Sequence, residues 1–189
     1  MSILLVWLSG FLFGLFHSLT ASNRCKLFFY GAGMQSHHYR LLYSVLGILT
    51  TALWIWFVYQ LPDVPLYQAS GLLWWLLLCL QLIGSTIALA ALLPIDGAVF
   101  LGLKKKGETQ DPFIVRGVYR YIRHPMYSGS MLILLAMPEQ TVNGINLALM
   151  VCLYFIVGSK FEEKRMLREH PDYQKYQHEV PAFIPKIMR

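Results

Sequence analysis

Long apolar runs set apart by short polar segments organise this chain. Residues 3–22 form an apolar stretch broken only by small residues and by His17-Ser18, and residues 41–60 and 69–93 form two more. Each approaches or exceeds the roughly 20 residues that a helix needs to cross a hydrocarbon core. A shorter run, 126–137, follows a proline and is separated from residues 144–161 by Pro138-Glu139-Gln140-Thr141-Val142-Asn143, which has the composition of a turn. Twelve helical residues rise only about 18 Å. The pattern therefore predicts an all-α integral-membrane protein of five transmembrane helices, the fourth short and paired with the fifth as a C-terminal helical hairpin, followed by a cytoplasmic helical tail.

The basic residues orient these spans. Segment 23–40 holds Arg24, Lys26 and Arg40, and segment 94–125 holds Lys104 to Lys106, Arg116, Arg120 and Arg123. Segment 158–189 holds Lys160, Lys164, Arg165, Arg168, Lys175, Lys186 and Arg189, which completes the chain's 16 Lys and Arg. The connections near 61–68 and 138–143 carry only Asp63 and Glu139. Cytoplasmic loops carry the excess of Lys and Arg, so the N-terminus is expected outside and the C-terminus in the cytoplasm. Composition agrees: 56% of residues are hydrophobic and 14% charged, and mean hydropathy is +0.49. A soluble domain carries about 25% charged residues. The formal net charge of +6 does not point to nucleic acid, because the charges sit between apolar runs. Anionic headgroups are the expected counterions, above all for Lys104-Lys105-Lys106.

Thr20-Ala21-Ser22 is a plausible cleavage site, but no basic residue precedes Arg24. The positive region of a signal peptide is missing, so the first span is expected to be retained. Cys25, Cys79 and Cys152 show neither a metal-type spacing nor a disulfide framework. One membrane domain, 1–189, is expected. It divides into three N-terminal spans (1–93), a cytoplasmic loop (94–125), the hairpin (126–161) and a tail (162–189).

Candidate chemistry begins at Ile114, with IVRGVYRYIRHPMYSG. Pro125 suits the first turn of a helix, where its missing N–H costs nothing, with His124 at the N-cap and Arg123 before it. A helix N-terminus beside an arginine is a site for a carboxylate or phosphate. The alternative is an interfacial helix start with a snorkelling arginine. Tyr127 and Ser128 fall in the first turn, and Gly129 permits close approach of a ligand or a helix. Glu162 and Glu163, where the last span leaves the membrane, are candidates for a general base or a cation site; the alternative is a charged helix exit paired with nearby Lys or Arg. Tyr173, Tyr176 and Val180 form an apolar stripe suited to packing, and Pro181 to Pro185 follow as a stiff extended segment.

GVYRYIRHPMYSG followed by FEEKRMLREHPDYQKYQHEVPAFIP resembles the isoprenylcysteine carboxyl methyltransferase-like family over residues 113–186. The resemblance implies an S-adenosylmethionine-dependent membrane methyltransferase with a cofactor pocket closed by hairpin and tail. It opens to the bilayer for a thiol, prenylcysteine carboxylate or lipid headgroup. By matching motif positions, Val115, Gly117, Val118, Tyr119, Arg123, His124, Tyr127 and Gly129 would line the cofactor site, and Tyr173, Tyr176, Pro181, Ile184 and Pro185 would close it. Glu162 and Glu163, with Arg123, would serve methyl transfer. No metal is implied. The hypothesis that follows has Arg123 and the helix N-terminus holding the donor's carboxylate.

The eukaryotic prenylcysteine enzymes carry an arginine shortly before the acidic pair, where this chain has Lys160, a point charge rather than a fork. The N-terminal FHSLTAS is more similar to bacterial membrane thiol methyltransferases and to NnrU proteins, which implies a bacterial inner membrane. Intramembrane polar groups are costly, which makes His17 and Ser18, with Lys160, candidates for the substrate side; a hydrogen-bonded structural histidine is the alternative. Two other functions compete: a membrane accessory or haem-handling protein with His17 and His124 as ligands, and a sterol-type NADPH reductase, which shares the R-H-P-x-Y-x-G segment.

Overall fold

The computed structural model describes residues 1–105 and 113–186, so Lys106 and Arg189 lie outside the described residues. The protein is mostly helical and divides into two compact units. Among the described residues, four helices are long and apolar enough to cross a membrane, as in a multi-pass membrane protein.

The first unit comprises residues 1–64 and 96–110. It contains α1 (Ser2–Ala21), α2 (Asn23–Gly31) and α3 (Ser36–Tyr59). Val6, Gly10 and Gly14, one turn apart, form the buried stripe of α1. Small residues at this spacing let helix backbones approach closely in a bilayer. Neutral polar pairs then tie α1 to α3. Trp54 Nε1 donates to Ser9 Oγ at 3.1 Å, His17 Nε2 meets the Tyr43 hydroxyl at 2.6 Å, and the Tyr39 hydroxyl donates to the Thr20 carbonyl.

The second unit, residues 65–95 and 111–189, opens with β1 (Pro65–Gln68) and α4 (Gly71–Leu92). The short helix α5 (Gly97–Leu101), which belongs to the first unit, follows in the chain. The second unit resumes with a 3₁₀ turn (Gly117–Arg120), α6 (Pro125–Leu135), β2 (Glu139–Thr141), α7 (Val142–Glu169) and α8 (Tyr173–Glu179). The segment expected as a plain turn between hairpin helices is instead a strand. β2 pairs antiparallel with β1, Pro65 opposite Thr141 and Gln68 opposite Glu139. The two connections without Lys or Arg are thereby joined.

The 11 residues of α6 reach only about 17 Å, and glutamines complete its end. Gln81 donates to the Ile133 carbonyl at 3.3 Å and Gln140 to the Leu134 carbonyl at 3.2 Å. Carbonyls at a helix end have no intrahelical partner, and lipid offers none. Along its length α6 touches α4 backbone to backbone. A Cβ on Gly129 would lie 2.4 Å from the Gly84 carbonyl oxygen and 2.7 Å from the Ala88 nitrogen. Of the two approaches that Gly129 permits, the structure shows a helix.

The 28 residues of α7 extend about 42 Å, well beyond a hydrocarbon core of about 30 Å. From Lys160 onward its sequence is KFEEKRMLRE. These charged last turns stand outside the apolar span and carry half of the candidate site.

Candidate active site

Gly117 adopts a φ of +63°, a backbone state that glycine reaches without steric cost. It starts the 3₁₀ turn that brings Tyr119 against α4, where the hydroxyl donates to the Ala91 carbonyl at 3.3 Å. His124 is the N-cap of α6, with Pro125 in the first turn. The proline disfavours helical backbone before it, and His124 stands outside the helical region at φ −120° and ψ 61°. The Arg123 and His124 amides, left outside the helix, donate to the Pro181 and Ala182 carbonyls of the tail at 2.9 Å each. The Ser128 hydroxyl adds a bond to the Phe183 carbonyl at 2.8 Å.

Glu163 is the centre of the knot. Its Oε1 accepts from Arg123 Nε at 2.8 Å and lies 2.7 Å from the second guanidinium nitrogen. The same oxygen lies 2.9 Å from His124 Nε2. A carboxylate only accepts, so Nε2 carries the proton. Oε2 accepts from the Gln177 amide at 2.9 Å. Arg123 also donates to the backbone carbonyls of Gln177, at 2.8 Å, and Val180. Helices α6, α7 and α8 and the tail thus meet on one ion pair whose side chains are 10% and 13% exposed. Burial pushes the Glu163 carboxyl up, but hydrogen bonds from His124, Gln177 and Arg123, with the Arg123 charge, outweigh it and hold the group below its usual value.

Glu162 differs. Its side chain is 40% exposed, 3.8 Å from His124 Nδ1, and it accepts one hydrogen bond, from the Tyr127 hydroxyl at 3.1 Å. The Tyr127 ring is clamped between two others, nearly parallel to His124 (centroids 5.4 Å, 3°) and to Phe155 (4.6 Å, 5°). Beneath the tail, Phe113 packs edge-on to Tyr173 at 5.2 Å and lies 5.5 Å from Tyr176, whose hydroxyl donates to the Tyr119 carbonyl at 2.6 Å. Burial, then the Glu163 charge, pushes the Tyr173 phenol up to about 12.

The structure therefore brings together Tyr119, Arg123, His124, Tyr127, Glu162, Glu163, Tyr173, Tyr176 and Pro181. Val118 anchors the 3₁₀ turn by accepting from the amides of Tyr121 and Ile122. Val115, Gly117, Ile184 and Pro185 are exposed. On the substrate side Lys160 and Ser18 are also exposed, and His17 turns to Tyr43. Sequence reasoning missed Gln177, Phe113 and Phe155. Gln177 follows Tyr173 by one helical turn, so its place on the Tyr173–Tyr176–Val180 face was readable. The two phenylalanines carry no such mark in an aromatic-rich chain.

The family model described as NnrU protein matches residues 4–157. The chain belongs to the NnrU family. This agrees with the resemblance carried by its motifs. Among curated proteins it is 30% identical over 187 residues to methanethiol S-methyltransferase 2 of Bradyrhizobium diazoefficiens, covering 93% of this chain and 70% of that one. It is 28% identical over 190 residues to the methanethiol S-methyltransferase of Pseudomonas deceptionensis, covering 94% and 71%. A third relative, the cobalt-zinc-cadmium resistance protein CzcN of Cupriavidus metallidurans, is 27% identical over 115 residues, covering 59% and 50%. No solved structure matches this NnrU-family chain.

Proposed function

We propose that this chain is a membrane methyltransferase that moves a methyl group from S-adenosylmethionine to a small thiol. One observation carries the reading. The Arg123-His124 segment, the Glu162-Glu163 pair and the folded-back tail converge in one place, in a chain whose relatives over 93% of its length include methanethiol S-methyltransferase 2.

The residues present suit the donor. S-Adenosylmethionine supplies a methyl group on a cationic sulfonium, and carboxylates favour a cation where basic residues would repel it. Tyr173 and Tyr176 are buried against Phe113 and form the wall behind the site, and the partly exposed rings of Tyr119 and Tyr127 are the aromatic surface beside the carboxylates. Arg123 acts through Glu163 and the tail carbonyls, holding Pro181 to Pro185 over the site. The acceptor enters from the bilayer, where a small apolar thiol dissolves. Attack of a thiolate on a sulfonium cancels opposite charges, so a water-poor position favours it.

The proposed topology is five crossings with the N-terminus outside and the C-terminus in the cytoplasm, in a bacterial inner membrane. Two features support it. The β1–β2 ribbon joins the two connections that lack Lys and Arg. The fifth crossing would be α6 with its extended continuation, which follows α4 from the level of Ala88, beside Gly129, to the Ala69 amide, bonded to the Pro138 carbonyl at 2.8 Å.

The NnrU family match favours a second reading, a haem-handling accessory protein. Both candidate ligands have Nε2 hydrogen-bonded within the chain, His17 to Tyr43 and His124 to Glu163, which weighs against it. A Soret band on the purified protein would support it.

The test is direct. Purified protein is incubated with methyl-labelled S-adenosylmethionine and, separately, methanethiol, larger thiols, a prenylcysteine and an amine-headed lipid. Label is expected in the methylated small thiol. Label in none of the acceptors would overturn the proposal.

A further inference from the structure

The geometry points to a division of labour between the adjacent carboxylates: Glu162 is the base that takes the thiol proton, Tyr127 positions it, and Glu163 is the structural keystone. The inference rests on the methyl-transfer reading above and decides what that reading leaves open.

A general base needs a lone pair facing its substrate. Glu163 has little to offer. Arg123 and His124 crowd one of its oxygens and Gln177 occupies a lone pair of the other. Protonating it would release the arginine that holds the tail. Glu162, the preceding residue on α7, has a single neutral donor among the described residues, the Tyr127 phenol, and three times the exposure of its neighbour. The Tyr127 hydroxyl has little freedom, because its ring is stacked between His124 and Phe155. A base held by one phenol keeps further lone pairs for a substrate. The environment of Glu162 is also charged in an ordered way. His124 faces it from α6, Glu163 lies beside it on α7, and its charge reaches Tyr119 in the 3₁₀ turn and Tyr173 in α8.

The step balances. The Glu162 carboxylate accepts the S–H proton. The thiolate sulfur forms a bond to the methyl carbon as the methyl–sulfonium bond breaks, and its electron pair stays on the departing thioether. The proton leaves Glu162 for water.

The experiment compares Glu162→Gln, Glu163→Gln and Tyr127→Phe in the full-length, detergent-purified protein. Three readouts are taken: thermal unfolding, affinity for S-adenosylhomocysteine, and methyl transfer to methanethiol between pH 6 and 10. Glu162→Gln is expected to keep its melting temperature and its ligand affinity while its turnover at pH 7 falls at least about 100-fold. The defect should shrink about tenfold per pH unit as the thiol ionises unaided. Tyr127→Phe should show a smaller loss in kcat with KM little changed. Glu163→Gln should lose melting temperature and ligand affinity together, with no recovery at high pH. Wild-type turnover in Glu162→Gln, or a defect insensitive to pH, overturns the assignment. So does unfolding of Glu162→Gln together with Tyr127→Phe, which would make Glu162 structural. A wild-type protein that binds S-adenosylhomocysteine but methylates no thiol defeats the thiol reading itself, a separate result.

Discussion

The α1–α3 pair and the knot at the ends of α6, α7 and α8 solve the same problem, holding helices together, with opposite chemistry. In the first, Ser9–Trp54, His17–Tyr43 and Thr20–Tyr39 are neutral pairs spaced along two apolar helices. In the second, Arg123, Glu163 and His124 form a charged cluster where α7 has left its apolar stretch. Neutral interhelical bonds in lipid are worth little each, about 0.6 kcal/mol on average, so the rungs set register more than strength. A buried ion pair is net stabilising only with good geometry, and costly to break once formed. The knot concentrates its energy in a few atoms, and those atoms border the proposed chemistry.

Perturbations should therefore separate the two regions sharply. Arg123→Ala strands a poorly exposed carboxylate and frees the tail. It should cost about 3–5 kcal/mol, read as a lowered melting temperature with loss of methyl transfer. Gly129→Val forces a side chain into the α4 backbone. Overpacking of this kind costs about 1–3 kcal/mol, visible in thermal unfolding and in the yield of folded protein. His17→Phe removes one neutral rung and should cost about 0.6 kcal/mol, at most about 1.7. A much larger loss would mean that His17 does more than bridge α1 to α3. The gentlest perturbation is acid. Glu163 has its folded value depressed, so its contribution is present above the usual carboxylate value, about 4.3. It fades as pH falls through the lower folded value. Melting temperatures of wild type and Glu163→Gln should differ at pH 6 and draw together in strong acid.

The long spans were legible because length and apolarity act locally, and 3–22, 41–60 and 69–93 are matched by α1, α3 and α4. The R-H-P segment was legible for a similar reason. Proline dictates both where α6 starts and how the chain enters it. The β1–β2 ribbon was not, since it pairs residues more than seventy positions apart that have only turn-like composition. Nor were the helix-ending roles of Gln81 and Gln140, which exist only because α6 stops short. Arg123 shows the limit most clearly. A charge beside a helix N-terminus suggests an anion from outside. The partners it holds are the chain's own Glu163 and the carbonyls of Gln177 and Val180, which only the returning tail brings within reach.

The central claim is that this knot encloses a methyl-donor site, and titration calorimetry with S-adenosylhomocysteine tests it most directly. Wild type should bind one equivalent saturably, and Arg123→Lys, which keeps the charge but loses the fork, should bind at least about tenfold more weakly while remaining folded. Absence of binding to wild type, or equal affinity in the two proteins, would contradict it.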